Sequence, residues 1–331
     1  MLNIKILFIC KASIKEGLGH FIRTVTLTDY IDSYQPELNI ELLLISSINR
    51  KQDLKSKKYK TTILDNEKKL ELDKNYDTIV LDMLTISETN INYLKSKCKR
   101  LISISPIFDK MSSCDMLISR TKYINLNLPA SVTLKCGLEY SIIRTDCEKI
   151  KTSSYVSNLK REYTSVAISM GGTDPQNLTL KYLSELSKTT KKVIFWVLLG
   201  EGYEHNYKSL SDIIRKRGRH EIILARTNRN MWHLLSNCSI AILKGGLTSY
   251  EAVYAGLPAI NVFEDKNRSY LVKELCENEL CLSTAQSVDN ILKQFNNDLV
   301  KDNLLKIHKK TKSFLRKPPI INVINAILSV H

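Results

Sequence analysis

Residues 239–258 read Ser-Ile-Ala-Ile-Leu-Lys-Gly-Gly-Leu-Thr-Ser-Tyr-Glu-Ala-Val-Tyr-Ala-Gly-Leu-Pro. Ser239 to Leu243 is a short apolar run, as a strand buried on both faces of a parallel sheet must be. Gly245 and Gly246 break it, and a helical stretch from Ser249 to Ala255 follows. The backbone amides and hydroxyls of such a turn, with Gly245, Gly246, Leu247 and Thr248 in it, suit a diphosphate. Glu251, about one helical turn on, is placed to accept both hydroxyls of a ribose, as acids do in dinucleotide folds. The alternative for Glu251 is an ordinary surface acid.

The same grammar extends through the chain. Apolar runs at Ser165 to Ser169, Lys192 to Leu199, Glu221 to Leu224 and Ala259 to Val262 read as strands. Helical stretches lie between them at Asn177 to Lys188, Leu210 to Arg217, Arg229 to Asn237 and Ser269 to Glu277. Upstream, Lys5 to Cys10, Ile40 to Ile45, Thr78 to Leu81, Arg100 to Ile104 and Met116 to Ile118 form a second set of strands. His20 to Tyr34 and Ile91 to Lys97 are helical between them, and Lys51 to Lys60 reads as an exposed loop or helical insertion. Strands alternating with helices build parallel sheets covered on both faces. The expectation is an α/β protein of two doubly wound, Rossmann-type domains, 1–150 and 151–331, joined in the polar stretch Thr145 to Tyr163. The second domain ends in a helical tail from about Val288. Two such units side by side face a central cleft at the carboxyl ends of their strands.

Composition narrows the class. The 331 residues are 43% hydrophobic and 25% charged, as in a globular protein, and too many for one ordinary core. Met1 to Cys10 reads as a strand and not as a signal peptide, and no run of 18 apolar residues occurs, so a cytoplasmic protein is expected. The eight cysteines include no Cys-x-x-Cys pair, which argues against structural zinc and for reduced thiols. The net charge of +15 is spread over diffuse lysine runs with no nucleic-acid-binding signature around them, so nucleic acid is not the expected partner. Ile291 to His331 mixes apolar and basic positions. It reads as a tail packed back on the first domain, with peripheral contact of a basic amphipathic helix with a membrane as the alternative.

Two more glycine turns follow strands. Gly17-Leu18-Gly19-His20 closes the first, and Gly19 lets the backbone approach an anion at a helix N-terminus. His20, on the first turn at the carboxyl edge of the sheet, is a candidate general base, with a capping or packing histidine as the other reading. After Ser169 comes Met170-Gly171-Gly172-Thr173-Asp174-Pro175-Gln176-Asn177, where the glycines free N–H groups for phosphate oxygens and Thr173 or Asp174 can cap the next helix. An ordinary strand-to-helix turn would look the same.

Taken together, Gly17-x-Gly-His20-x-x-Arg23, Gly171-Gly172-Thr173-Asp174-Pro175-x-Asn177, Gly245-Gly246-x-Thr248-x-Tyr250-Glu251 and Gly137-Leu-Glu-Tyr-Ser-Ile-Ile-Arg144 resemble the hydrolases that release UDP from a UDP-linked diacetamido-trideoxy-altrose in pseudaminic acid biosynthesis, and their spore-coat-polysaccharide relatives. The resemblance spans about residues 4 to 285 and extends more distantly to a GT-B glycosyltransferase of peptidoglycan synthesis. It implies a GT-B-like fold and a UDP-sugar as substrate, with no metal or cofactor. His20 would be the base for water attacking the anomeric carbon. Gly19, Gly171, Gly172, Thr173, Gly245, Gly246, Leu247 and Thr248 would lie at the nucleotide diphosphate, Glu251 at the ribose, and Asn267 and Arg23 near the sugar. This chain has Cys10-Lys11-Ala12, Asp82-Met83-Leu84 and Asn267-Arg268 where that family has an acidic or Arg-x-Asp segment, Asp-x-Tyr and Asn-Gln. These departures surround the sugar, so a GT-B glycosyltransferase, with an acceptor hydroxyl in place of water, is the second reading.

Overall fold

The computed structural model describes residues 4–14, 16–124, 127–216, 218–227, 230–263, 269–282, 299–315 and 317–329. The chain forms two compact units, Met1–Ile143 with Pro318–His331, and Arg144–Lys317.

In the first unit β1 (Lys5–Ala12), α1 (Gly19–Tyr34), β2 (Asn39–Ser46), α2 (Lys51–Leu54), β3 (Lys60–Leu64), β4 (Tyr76–Asp82), α3 (Glu88–Ser96), β5 (Cys98–Ser103), β6 (Met116–Ser119) and β7 (Thr133–Cys136) follow one another. The strands make one parallel sheet in the order β3-β2-β1-β4-β5-β6-β7. Alternation explains why β1 is apolar throughout, since successive side chains point to opposite faces and both faces are covered. Ile6, Phe8 and Cys10 join Phe21, Leu27 and Ile31 of α1 on one face, while Leu7 and Ile9 join Ile79 and Leu81 of β4 and Ile91 and Leu94 of α3 on the other. By the same alternation Asp82, two residues after Val80, falls on the face of α1.

The second unit runs α4 (Thr152–Leu159), β8 (Thr164–Ser169), α5 (Leu178–Leu186), β9 (Val193–Gly200), α6 (Tyr207–Lys216), β10 (Glu221–Thr227), α7 (Met231–Leu235), β11 (Ile240–Lys244), α8 (Leu247–Ala255), β12 (Ala259–Val262), α9 (Tyr270–Glu277) and α10 (Leu299–Phe314). Its sheet is parallel in the order β10-β9-β8-β11-β12. In both sheets the first strand has its successor on one side and a later strand on the other. That is the switch point at which open α/β sheets take ligands. It lies between β1 and β4 in one unit and between β8 and β11 in the other.

The division falls after Ile143, seven residues before the one expected at 150, and α11 (Ile320–Leu328) packs with the first unit. Ile320, Val323, Ile324 and Ile327 recur at helical spacing and are buried in the cluster that holds Phe8 and Leu27. Burying each isoleucine contributes about 1.5–3 kcal/mol. Arg100 Nη1 donates to the Ile327 carbonyl at 3.0 Å, a cation at the helix C-terminus.

Elsewhere the stretch expected as a loop or insertion at 51–60 holds the one-turn α2, whose Leu54 is buried, and the first residue of β3. The polar joint expected at 145–163 contains α4, fixed by the buried Tyr155, which donates to the Ser239 carbonyl at 2.6 Å. Among the described residues no helix is long and apolar enough to cross a membrane.

Candidate functional site

At the first switch point the register pairs Cys10 of β1 with Asp82 of β4, which brings Asp82 beside the start of α1. The Asp82 carboxylate is fully buried and accepts five hydrogen bonds. His20 Nδ1 donates to Oδ1 at 2.6 Å, Arg23 Nε to Oδ2 at 2.8 Å, Thr24 Oγ1 to Oδ2 at 3.1 Å and Ser105 Oγ to Oδ1 at 2.9 Å, with Arg23 Nη2 also on Oδ1. Burial alone would raise this carboxyl group. The charges of Arg23 and His20 and their hydrogen bonds outweigh it and hold Asp82 well below the usual carboxylate range. Cys10, beneath it, is kept a neutral thiol by burial and by that same charge.

The 2.6 Å contact assigns the imidazole proton to Nδ1, so in neutral His20 the lone pair is on Nε2. Among the described residues none bonds to Nε2, and the side chain is 12% exposed. This is the arrangement of a base oriented by a carboxylate. Sequence reasoning singled out His20 but not Asp82 or Ser105 as its partners. The one signal was an acid ending an apolar strand.

Arg23, expected near the sugar, is a buried residue, 8% exposed, whose guanidinium bonds Asp82 and Ser105 as the counter-ion of a buried carboxylate. Gly19 is exposed with open space where a Cβ would stand, and Gly17 carries the positive φ of +85° that shapes the turn. Among the described residues no side chain caps the N-terminus of α1, and its first turn holds no acid.

Lys11, one of the departures noted in the sequence, ties this edge together. Its ammonium reaches Glu67 and the Thr85 carbonyl, while Glu67 also accepts from the Ser87 N–H at 2.6 Å and from Asn90 Nδ2 at 2.9 Å. Burial would raise the Glu67 carboxyl, but these donors lower it from 4.5 to about 2. A folded-state value below the unfolded one means the contribution is complete above about pH 4.5 and is lost as the pH falls toward 2. Between those values the urea midpoint of the wild type is therefore expected to fall more steeply than that of Glu67→Gln. Parallel profiles would show that the network contributes nothing.

At the second switch point two glycine turns stand side by side. Gly171 has φ +90° with open space at its Cβ position, a conformation that needs glycine. The Gly172 carbonyl accepts from the Gly202 N–H at 2.9 Å, and a Cβ on Gly200 would meet that carbonyl at 2.3 Å, so β9 can close against this turn only as glycine. Thr173 is buried. Asp174 caps α5, its two oxygens accepting from Leu178 N and Thr179 N at 2.9 Å each, one of the two alternatives the sequence offered. In the other turn Gly245 is a packing glycine, since the Phe263 ring lies 1.9 Å from where its Cβ would be. Gly246 donates to Ser249 Oγ at 3.3 Å, and Gly246, Leu247 and Thr248 are half-buried at the start of α8.

Glu251, expected at the ribose, is 0% exposed, with Arg144 Nε on Oε1 at 2.8 Å, Arg144 Nη2 on Oε2 at 2.9 Å and Trp232 Nε1 on Oε2 at 3.2 Å. Both oxygens thus accept hydrogen bonds from within the protein. Burial would lower the Arg144 guanidinium, but the Glu251 charge reverses this and keeps it cationic. Asn267 and Arg268 lie outside the described residues. Among those described, no group of three or more His, Cys, Asp or Glu is disposed to hold a metal.

No family model matches the chain. It is 24% identical over 284 residues to an uncharacterised protein of Methanocaldococcus jannaschii, covering 79% of this chain and 56% of that protein. It is 29% identical over 193 residues to the UDP-2,4-diacetamido-2,4,6-trideoxy-beta-L-altropyranose hydrolase of Campylobacter jejuni, covering 56% and 66%. Against the spore coat polysaccharide biosynthesis protein SpsG of Bacillus subtilis the identity is 24%, over 36% of this chain and 35% of that one. The matches thus span from about a third to two thirds of these relatives' lengths. Among solved structures, MurG of Acinetobacter baumannii matches with a TM-score of 0.68 at 11% identity, over 98% of this chain and 100% of that one. UGT2 of Phytolacca americana, complexed with UDP-2fluoro-glucose and pterostilbene, matches with 0.62 at 12%, over 99% of each. The fold is that of the GT-B glycosyltransferases.

Proposed function

We propose that this protein is an enzyme of surface-glycan biosynthesis that hydrolyses a UDP-activated amino or deoxy sugar at its anomeric carbon. The observation that carries the reading is the buried Asp82 holding His20 by Nδ1, which leaves Nε2 as the proton acceptor. In this reaction Nε2 takes a proton from water as the water oxygen bonds to the anomeric carbon. The bond from that carbon to the β-phosphate oxygen breaks, and UDP leaves with the electron pair. Amides of the turns at 171–173 and 246–248 receive the diphosphate, and the N-terminus of α8 favours its charge. Gly19, with open space at its Cβ position, leaves the start of α1 open to an anion. Asn267 stays near the sugar in this reading. The similarity to the Campylobacter jejuni hydrolase supports it.

A second reading, a GT-B glycosyltransferase using the same base on an acceptor hydroxyl, is favoured by the likeness to MurG and by Leu84, which offers no hydroxyl to hold a water.

UDP release from a panel of UDP-sugars without acceptor separates the two. The expected result is release by the wild type, reduced about 100-fold or more in His20→Ala with UDP affinity retained. UDP binding without acceptor-free release would move the protein to the transferases, and absence of UDP binding would sink both readings.

A further inference from the structure

We infer that Lys244 is a phosphate-recognising residue that makes the site select a nucleoside diphosphate over the bare nucleoside. This rests on the reading of the second unit as the nucleotide site.

Lys244 is the last residue of β11, half-buried, and directly precedes the Gly245-Gly246 turn. Its ammonium lies 3.1 Å from Gln176 Oε1, and Gln176 belongs to the 171–177 turn that follows β8. Since β8 and β11 are paired neighbours at the switch of the sheet, the ammonium bridges the two glycine turns. A cation there adds a point charge to amides that can only offer dipoles. An anion bound across the two turns would meet Lys244 in the place where Gln176 now accepts from it. Backbone amides fix where the phosphates sit, and the lysine sets how strongly their charge is felt.

The test compares UDP and uridine affinities by calorimetry in the wild type, Lys244→Met and Lys244→Arg. Methionine preserves the unbranched stem, and the ratio of two affinities measured on one preparation cancels any unfolded fraction. The expected result is a UDP-to-uridine ratio that falls about 10- to 100-fold in Lys244→Met, is largely retained in Lys244→Arg, and loses part of its salt dependence with the charge. A ratio unchanged in Lys244→Met would overturn the assignment while leaving the nucleotide site in place. A wild type that binds neither ligand would overturn the nucleotide reading itself and this inference with it.

Discussion

Asp82→Asn is expected to lower turnover of the sugar nucleotide by about two to four orders of magnitude and to cost about 3–5 kcal/mol of stability. The two losses have different origins. Asparagine keeps the shape of aspartate but puts an amide NH₂ where donors now converge, so the His20 ring is no longer held with its proton on Nδ1. The loss of stability comes from Arg23, whose side chain is 9% exposed, left without its counter-charge. Arg23→Met added to Asp82→Asn should restore much of the urea midpoint, because it removes the unpaired cation, and should restore none of the activity. If Asp82→Asn alone were as stable as the wild type and as active, the buried ion pair would be neither structural nor catalytic.

Glu251→Gln is expected to lower stability by about 3–5 kcal/mol, because Arg144 loses its bidentate partner in a site only 13% exposed. Glu251 sits on α8, whose N-terminus carries Gly246 to Thr248, while Arg144 opens the segment that also bonds α8 through Ile150 N to the Ala255 carbonyl. The pair therefore fixes where the glycine turn stands. A double change to Arg144→Met and Glu251→Leu should recover part of the lost stability. The contrary result is also informative: an unchanged midpoint with weaker binding of uridine would return Glu251 to the ribose role implied by the family resemblance.

How far the sequence spoke differs by element. β1, β4, β8 and β11 were legible because a strand buried on both faces has little choice but an unbroken apolar run. β7, Thr133–Cys136, was not, since three of its four residues are exposed at the sheet edge and Leu134 is its one aliphatic residue. β3 was hidden by half-exposed residues beside a lysine run. The glycine turns were visible as motifs, but their division of labour was not. Gly171 needs its positive φ, whereas Gly245 makes room for Phe263, and only packing separates the two cases. His20 could be read from position. Asp82 as its partner could not, because the pairing of residues 10 and 82 is a property of the sheet register. Arg23 and Glu251 show the same limit from the other side. A charged residue inside a motif invites a ligand, yet each of these charges is balanced within the protein.

The return of α11 to the first unit has a consequence for how the protein is made. The second unit, residues 144–317, is spliced between two stretches that form a single core. At about 5–20 residues per second, roughly 10 to 35 seconds of synthesis separate Ile143 from the helix that joins Phe8 and Leu27 in their cluster. The half of the molecule translated first is therefore completed last. During that interval the part of the cluster beside α1 that this last helix covers waits exposed in the nascent chain, and the second unit has time to fold before the first one closes.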